Sequence, residues 1–241
     1  MATFTGTSSN DDADANAGIL NGFTGGTLAE LQDGIGDVIL GLVGADLIIA
    51  GSGNDTIEGG LQTDDLFGGA GNDVIYGYTA ADPGGGTNRD VIWGGSGNDQ
   101  LKGSGGDDFL NGEDDDDLLK GGAGADEIRG GDGTDTAFYS GSNEAVIVNL
   151  DTNVNIGGHA MGDMLFDIEI LIGSQFNDDL TGTSGPQTIN GGAGNDTIEG
   201  GLGSDTLNGG DGNDTLVSYL FFDSGGSVAG DTLNGEDGND T

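Results

Sequence analysis

The chain has 241 residues, with 54 Gly, 43 Asp plus Glu and only 4 Lys plus Arg, for a formal net charge of −39. That balance excludes nucleic acid as a partner and disfavours anionic membrane surfaces, because both need basic side chains; cations are the natural ligands. No Cys is present and His159 is the sole His, so disulfides are excluded and a zinc site of the usual kind lacks its donors.

The opening residues, "MATFTGTSSNDDADANAG", have neither the basic nor the apolar stretch of a secretory signal, and no apolar run in the chain reaches the length of a membrane span. Residues 1–40 read as an N-terminal cap with degenerate repeats. "GTSSNDDAD" (6–14) places Asp11 where later repeats carry Asp, and "ILNGFTGGTLAEL" (19–31) is positioned to cover the open edge of the first rung.

From 41 to 138 a nine-residue period takes over: GLVGADLII, AGSGNDTIE, GGLQTDDLF, GGAGNDVIY, and after an insertion at 77–87 GGSGNDQLK, GSGGDDFLN, GEDDDDLLK, GGAGADEIR and GGDGTDTAF. Residues 139–172 are a spacer. There "AVIVNL" alternates as a strand does, His159 falls in a loop, Met161 and Met164 read as packing residues, and Glu169 stands at the Asp position of a returning ladder. From 173 to 241 the period resumes with GSQFNDDLT, GTSGPQTIN, GGAGNDTIE, GGLGSDTLN and GGDGNDTLV, is interrupted at 218–228, and stops within a repeat. A Gly-rich acidic chain is otherwise a candidate for disorder; the periodicity argues against that wherever a counter-ion is present.

Two columns define the repeat. The eighth position is aliphatic, as at Ile57, Leu66, Leu110 and Ile198. One inward apolar residue in nine suits a three-residue strand, and the Gly-rich remainder suits a turn, because Gly reaches positive φ and lets backbones approach closely. Such units stack in parallel as a solenoid. The sixth position is Asp and supplies the metal-ligand candidates: Asp37, Asp46, Asp55, Asp64, Asp73, Asp90, Asp99, Asp108, Asp117, Asp126, Asp135, Asp178, Asp196, Asp205, Asp214, Asp231 and Asp240.

One buried Ile or Leu per repeat stabilises by roughly 2 kcal/mol, and about nine hydrogen bonds add roughly 9 kcal/mol, against roughly 9–18 kcal/mol for ordering nine backbones. The balance is near zero before the carboxylates repel one another. Folding therefore needs a ligand that neutralises the Asp column and binds only the folded state. Carboxylates and turn carbonyls are hard oxygen donors of the kind that favour Ca²⁺ over Mg²⁺, which dehydrates reluctantly and demands strict octahedra.

The tandem nonapeptides resemble the repeats-in-toxin (RTX) family, whose motif is G-G-x-G-x-D-x-U-x with U large and apolar; the likeness covers about two-thirds of the chain. The resemblance implies an all-β fold, a parallel β-roll or β-helix solenoid with two nonapeptides per turn. It implies multiple Ca²⁺ ions held between turns by Asp side chains and glycine-turn carbonyls. It also implies type I secretion from a bacterium, with folding in external calcium and an uncleaved C-terminal signal in place of an N-terminal one. The sequence departs from the motif at Gln187, which replaces the Asp and predicts a weak or empty site, and at Gln62, Asp115 and Phe176, which replace the fourth-position Gly and put the turn geometry there in doubt. "GEDDDDLLK" (112–120) carries extra carboxylates suited to looser binding or bridging.

"GNDTIEGGL" occurs at both 53–61 and 194–202, and residues 50–76 align with 191–217 without a gap, so a whole block is duplicated. Each copy carries an insertion in the same register. "SYLFFDSGG" carries Tyr219, Leu220, Phe221 and Phe222, which are costly to expose in a monomer; they predict either a local lid folded back on the roll or contact with further copies of the chain, a homo-oligomer or polymer.

No catalytic signature is present: one His excludes H-E-x-x-H, and there is no G-x-S-x-G, no Cys nucleophile and no phosphate loop. The sequence reads as a secreted, non-enzymatic calcium-binding structural protein of a bacterial cell surface, filament, S-layer or matrix. The alternative is the secretion and folding region of a larger type I-secreted enzyme, toxin or adhesin. Repeats beginning near Met1 leave little room for a preceding domain, and the repeat cut at Thr241 suggests that the natural chain continues.

Overall fold

A computed structural model describes residues 3–6, 12–14, 19–21, 34–78, 88–218, 221–222, 228–229 and 231–241. Asp11 and most of both insertions, including Tyr219 and Leu220, lie outside the described residues, as do the side chains of Phe221 and Phe222. The chain forms two compact units, residues 1–135 and 136–241.

In the first unit the strands are β1 (Thr3–Thr5), β2 (Asp12–Asp14), β3 (Ile19–Asn21), β4 (Val38–Val43), β5 (Leu47–Ser52), β6 (Thr56–Leu61), β7 (Asp65–Ala70), β8 (Val74–Tyr76), β9 (Val91–Ser96), β10 (Gln100–Gly105), β11 (Phe109–Asp114), β12 (Leu118–Ala123) and β13 (Glu127–Asp132). Successive strands alternate between two parallel sheets, ordered β1-β4-β6-β8-β10-β12 and β13-β11-β9-β7-β5-β2-β3. Each strand therefore pairs with the next but one. Val38 faces Thr56 and Leu47 faces Asp65, an offset of two nonapeptides per turn. Across the first insertion the offset lengthens by eight residues in both sheets, with Val74 opposite Gln100 and Asp65 opposite Val91.

The second unit holds β14 (Thr136–Phe138), β15 (Ile147–Asn149), β16 (Met164–Phe166), β17 (Ile170–Ile172), β18 (Asp179–Thr181), β19 (Thr188–Ala193), β20 (Thr197–Glu199), β21 (Thr206–Asp211), β22 (Thr215–Val217), β23 (Phe221–Phe222), β24 (Val228–Ala229) and β25 (Thr232–Asp237). Its parallel sheets run β14-β17-β19-β21-β25 and β15-β18-β20-β22. The second insertion forms a small antiparallel hairpin of β23 and β24. This is an all-β parallel β-roll; among the described residues the only helical turn is the 3₁₀ segment Gly158–Ala160.

The eighth-position side chains form the core. Ile39, Ile48, Ile57, Leu66, Ile75, Ile92, Leu101, Leu110, Leu119, Leu171, Leu180, Ile189, Ile198 and Leu207 are completely buried. In the first unit Phe4 continues this ladder by lying opposite Ile39; in the second, Leu233, opposite Leu207, is 46 % exposed. At the opening of the first unit β3 runs antiparallel to β2 along the sheet edge.

Three expectations need correction. Many strands have six residues, not three: the first two Gly of a repeat carry no side chain, so the ladder runs on through them, as in β6 and β7. Gln62 and Asp115 do not disturb their turns, because both adopt the positive φ (85° and 77°) that Gly takes at position 4. Met161 and Met164 are about half exposed and pack little.

Candidate metal centre

The three glycines of each repeat have different tasks, shown by the turn 68–73. Gly69 (φ 112°) and Gly71 (φ 127°) take left-handed conformations. Gly68 does not, yet it has no space for a side chain. A β-carbon there would collide with Asp73 Oδ2 and lie 2.7 Å from the Gly94 carbonyl oxygen. Position 1 thus leaves a cradle between a carboxylate oxygen and the carbonyl of the next turn. The same cradle recurs at Gly59 (Asp64, Gly77), Gly94 (Asp99, Gly112), Gly103 (Asp108, Gly121) and Gly191 (Asp196, Gly209).

The Asp column consists of rails of hydrogen bonds. The backbone N–H of each Asp donates to Oδ1 of the Asp one turn on. One rail links Asp37, Asp55, Asp73, Asp99, Asp117 and Asp135. The other links Asp46, Asp64, Asp90, Asp108 and Asp126. In the second unit Asp178, Asp196, Asp214 and Asp240 form one rail, and Gln187, Asp205 and Asp231 form the other. Through Asp214 every predicted Asp is buried, while Asp231 and Asp240 are partly exposed.

The second oxygen is left over. Among the described residues, Oδ2 of Asp64, Asp73, Asp99, Asp108, Asp117, Asp196, Asp205, Asp214 and Asp231 is buried without a hydrogen-bond donor. A buried, unpaired carboxylate oxygen is costly, so such atoms need a cation or a proton. The chain's few basic residues do little for them. Lys102 stacks on the Tyr76 ring at 4.6 Å, and Arg129 pairs with Glu127 at 2.6 Å on the outer surface. Burial accordingly pushes Asp64 up to about 8, Asp73, Asp108 and Asp117 to about 7, and Asp90, Asp99 and Asp196 to about 6; the cross-rung N–H bonds oppose this rise without cancelling it.

Among the described residues no three His, Cys, Asp or Glu side chains converge into a cluster. Each cradle instead offers one carboxylate oxygen and one backbone carbonyl. That all-oxygen set fits a hard divalent cation, Ca²⁺ above all, and does not fit zinc. The position-1 carbonyls of Gly77, Gly94, Gly112 and Gly209 were not singled out by sequence reasoning. Their signal was the Gly at position 1, whose role differs from that of the other two. A second ladder also went unnoticed: the N–H groups of Asn72, Asn195, Asn213 and Asn239 donate to Oδ1 of Asn54, Asn177, Asn195 and Asn213 beside the rails. In 112–120 an extra carboxylate acts the same way, Asp116 Oδ1 accepting the Thr134 N–H at 2.9 Å. His159 lies in the 3₁₀ turn with its N–H on Ser142 Oγ.

The family model of the RTX calcium-binding nonapeptide repeat (4 copies) matches residues 33–66, 59–82, 84–119, 111–143, 181–216 and 226–241. Comparison with curated proteins gave no match.

Proposed function

Because the chain belongs to the RTX calcium-binding nonapeptide repeat family and so binds multiple Ca²⁺ ions, we propose that it is a secreted structural protein of a bacterial cell surface, filament, S-layer or extracellular matrix. In this reading calcium folds the chain outside the cell, and the insertion loops join the folded copies. The repeat region is a calcium-binding scaffold and carries out no catalysis.

The unpaired Oδ2 atoms in the position-1 cradles are the observation that carries the proposal. Asp37, Asp46, Asp55, Asp64, Asp73, Asp90, Asp99, Asp108, Asp117, Asp126 and Asp135 serve the first unit, and Asp178, Asp196, Asp205, Asp214, Asp231 and Asp240 the second, Asp178 being re-examined below. From Asp55 onward, Oδ1 positions each of these Asp by accepting the N–H of the preceding turn, which holds Oδ2 toward the cradle. The glycine carbonyl enters from the next turn, so any ion held there joins rungs and occupancy is cooperative. Bound calcium supplies the positive charge that the chain lacks. Weak extracellular calcium modules have Kd values of about 10⁻⁴–10⁻³ M, so the columns stay unloaded in cytoplasm and fill outside. Among the described residues no helix is long and apolar enough to cross a membrane.

Far-UV circular dichroism and negative-stain microscopy with calcium and with EGTA test this reading. Strand signal and regular fibres or sheets that appear only with calcium are expected. Replacing Phe221 and Phe222 by Ser should abolish assembly and leave calcium binding intact. A compact all-strand fold in EGTA above about pH 8, where the Asp column is ionised, refutes the calcium requirement. Monodisperse particles, with hydrolytic or lytic activity in a longer chain, select the folding region of a larger secreted enzyme or toxin instead.

A further inference from the structure

Two consecutive turns of the second unit, 173–178 and 182–187, keep the position-1 contacts, Gly173 against Asp178 Oδ2 and the Gly191 carbonyl and Gly182 against Gln187 Oε1 and the Gly200 carbonyl, but differ from the calcium-type turns at positions 2 and 4. Position 2 holds Ser174 and Thr183 in place of Gly. The Ser174 N–H donates to Asp178 Oδ2 at 2.5 Å and its hydroxyl to Asp178 Oδ1 at 2.7 Å. The Thr183 N–H donates to Gln187 Oε1 at 3.0 Å, and Gln187 Nε2 donates back to Thr183 Oγ1 at 2.7 Å. In both turns the same hydroxyl oxygen then accepts the position-4 N–H, from Phe176 or from Gly185, at 3.1 Å.

The backbone follows a different path as well. None of Ser174, Phe176, Thr183 and Gly185 takes a positive φ, whereas Gly192 and Gly194 in the following turn have 107° and 133°. Gly185 is informative because nothing in its own chemistry prevents the left-handed conformation. Its hydroxyl-bonded path differs in kind from the cradle turn.

The consequence is one of charge. In a cradle turn the spare oxygen is anionic and needs a partner from outside the chain. Gln187 is neutral and brings its own donor, so both ends of its amide are used within the turn. Asp178 keeps its charge, but three donors surround it: the Ser174 N–H and hydroxyl and the Val146 N–H at 2.8 Å. It is accordingly absent from the buried oxygens that lack a partner.

We propose that these two turns close by hydroxyl hydrogen bonds and hold no calcium, so that the second unit contains a joint whose closure does not depend on the ion. Loading in that unit then falls to the turns of Asp196, Asp205, Asp214, Asp231 and Asp240, which follow it. The proposal rests on reading the other Asp columns as calcium sites, and it takes Asp178 out of that set.

Calcium counted per chain, by isothermal titration and by metal analysis after gel filtration, decides the matter. Gln187→Ala should keep the wild-type count, Asp196→Ala should lose about one ion, and Thr183→Gly with Gln187→Asp, which rebuilds the cradle motif, should gain about one. A lowered count in Gln187→Ala, or an unchanged count in the folded double variant, overturns the proposal. If Gln187→Ala does not fold, the double variant decides alone. A wild-type chain that binds no calcium refutes the reading of the columns themselves, a different failure.

Discussion

Gly94→Ala changes no ligand atom and no left-handed residue, yet it should remove a calcium site. Gly94 is buried and lacks the positive φ of its neighbour Gly95 (119°), so alanine suits its backbone. The added methyl is what matters. It would lie 2.8 Å from the Gly112 carbonyl oxygen and against the Asp99 carboxylate, in the space between the two oxygens that face each other across the turn. An ion and a methyl group compete for that space, so the turn of Asp55, whose position 1 is Ala50, should by the same argument bind more weakly. The cost has two parts. Overpacking contributes about 1–3 kcal/mol at any calcium concentration. Loss of the ion contributes a part that grows with calcium: at about 10 mM and Kd values of about 10⁻⁴–10⁻³ M, linkage gives about 1.4–2.7 kcal/mol.

Urea unfolding across a calcium titration separates the parts. The variant's stability should rise less steeply with the logarithm of calcium than the wild type's, by about one ion's worth of slope, and direct counting should show about one ion fewer. Ser96→Ala, in the same strand but outside the cradle, should match the wild type in both. If Gly94→Ala keeps the wild-type slope and count, the position-1 cradle is not where the ion sits.

Two other predictions follow from the same geometry. Asp64 titrates near 8 in the folded chain against an ordinary 3.8, so the calcium-free fold is fully favoured below about 3.8 and loses that advantage as pH rises through 8. In EGTA the strand signal of monomeric protein should therefore grow on acidification from about pH 8 to about 4, and calcium affinity should fall over the same window; a flat signal contradicts the assignment. Leu110→Ala, at a completely buried rung, should cost about 2–5 kcal/mol and raise the calcium needed for half-folding, as read by circular dichroism.

The aliphatic and Asp columns were legible in the sequence because each has one residue class and one task. Their period gave a parallel solenoid and the eight-residue shift between Val74 and Gln100, while two nonapeptides per turn came with the resemblance to the RTX family. Glycine was less legible, since one letter stands for two physical demands. At Gly69 it answers both a left-handed backbone and a close approach to the Gly51 carbonyl, and at Gly68 the absence of space for a β-carbon alone. Only coordinates separate them. The separation explains why Gln62 and Asp115 are harmless: a polar side chain tolerates a left-handed φ at moderate cost, whereas a cradle leaves little room for one, Ala50 being the buried position-1 side chain that the roll accommodates.

The same distinction shows why Ser174 and Thr183 were unreadable as a device. A substitution at position 2 needs both a left-handed φ and room beside the neighbouring turn, and Leu42, Ser104, Glu113 and Glu236 make it while keeping the left-handed turn, with φ between 70° and 87°. Ser104 carries the same hydroxyl as Ser174, so residue type alone does not choose between the two turns. What accompanies the hydroxyl differs. Ser104 is followed by Gly106 at φ 124°, with an unpaired Asp108 Oδ2 in the column, while Ser174 is followed by Phe176, to which a positive φ is costly. A bulky position 4 leaves the chain off the left-handed path, and the hydroxyl then folds back onto Asp178. At 182–187 the column residue makes the choice: an amide has no charge for an ion to neutralise, so Gly185 stays off that path too. Whether a turn takes an ion is thus set jointly by positions 2, 4 and 6, and a column-by-column reading cannot see a condition that spans columns.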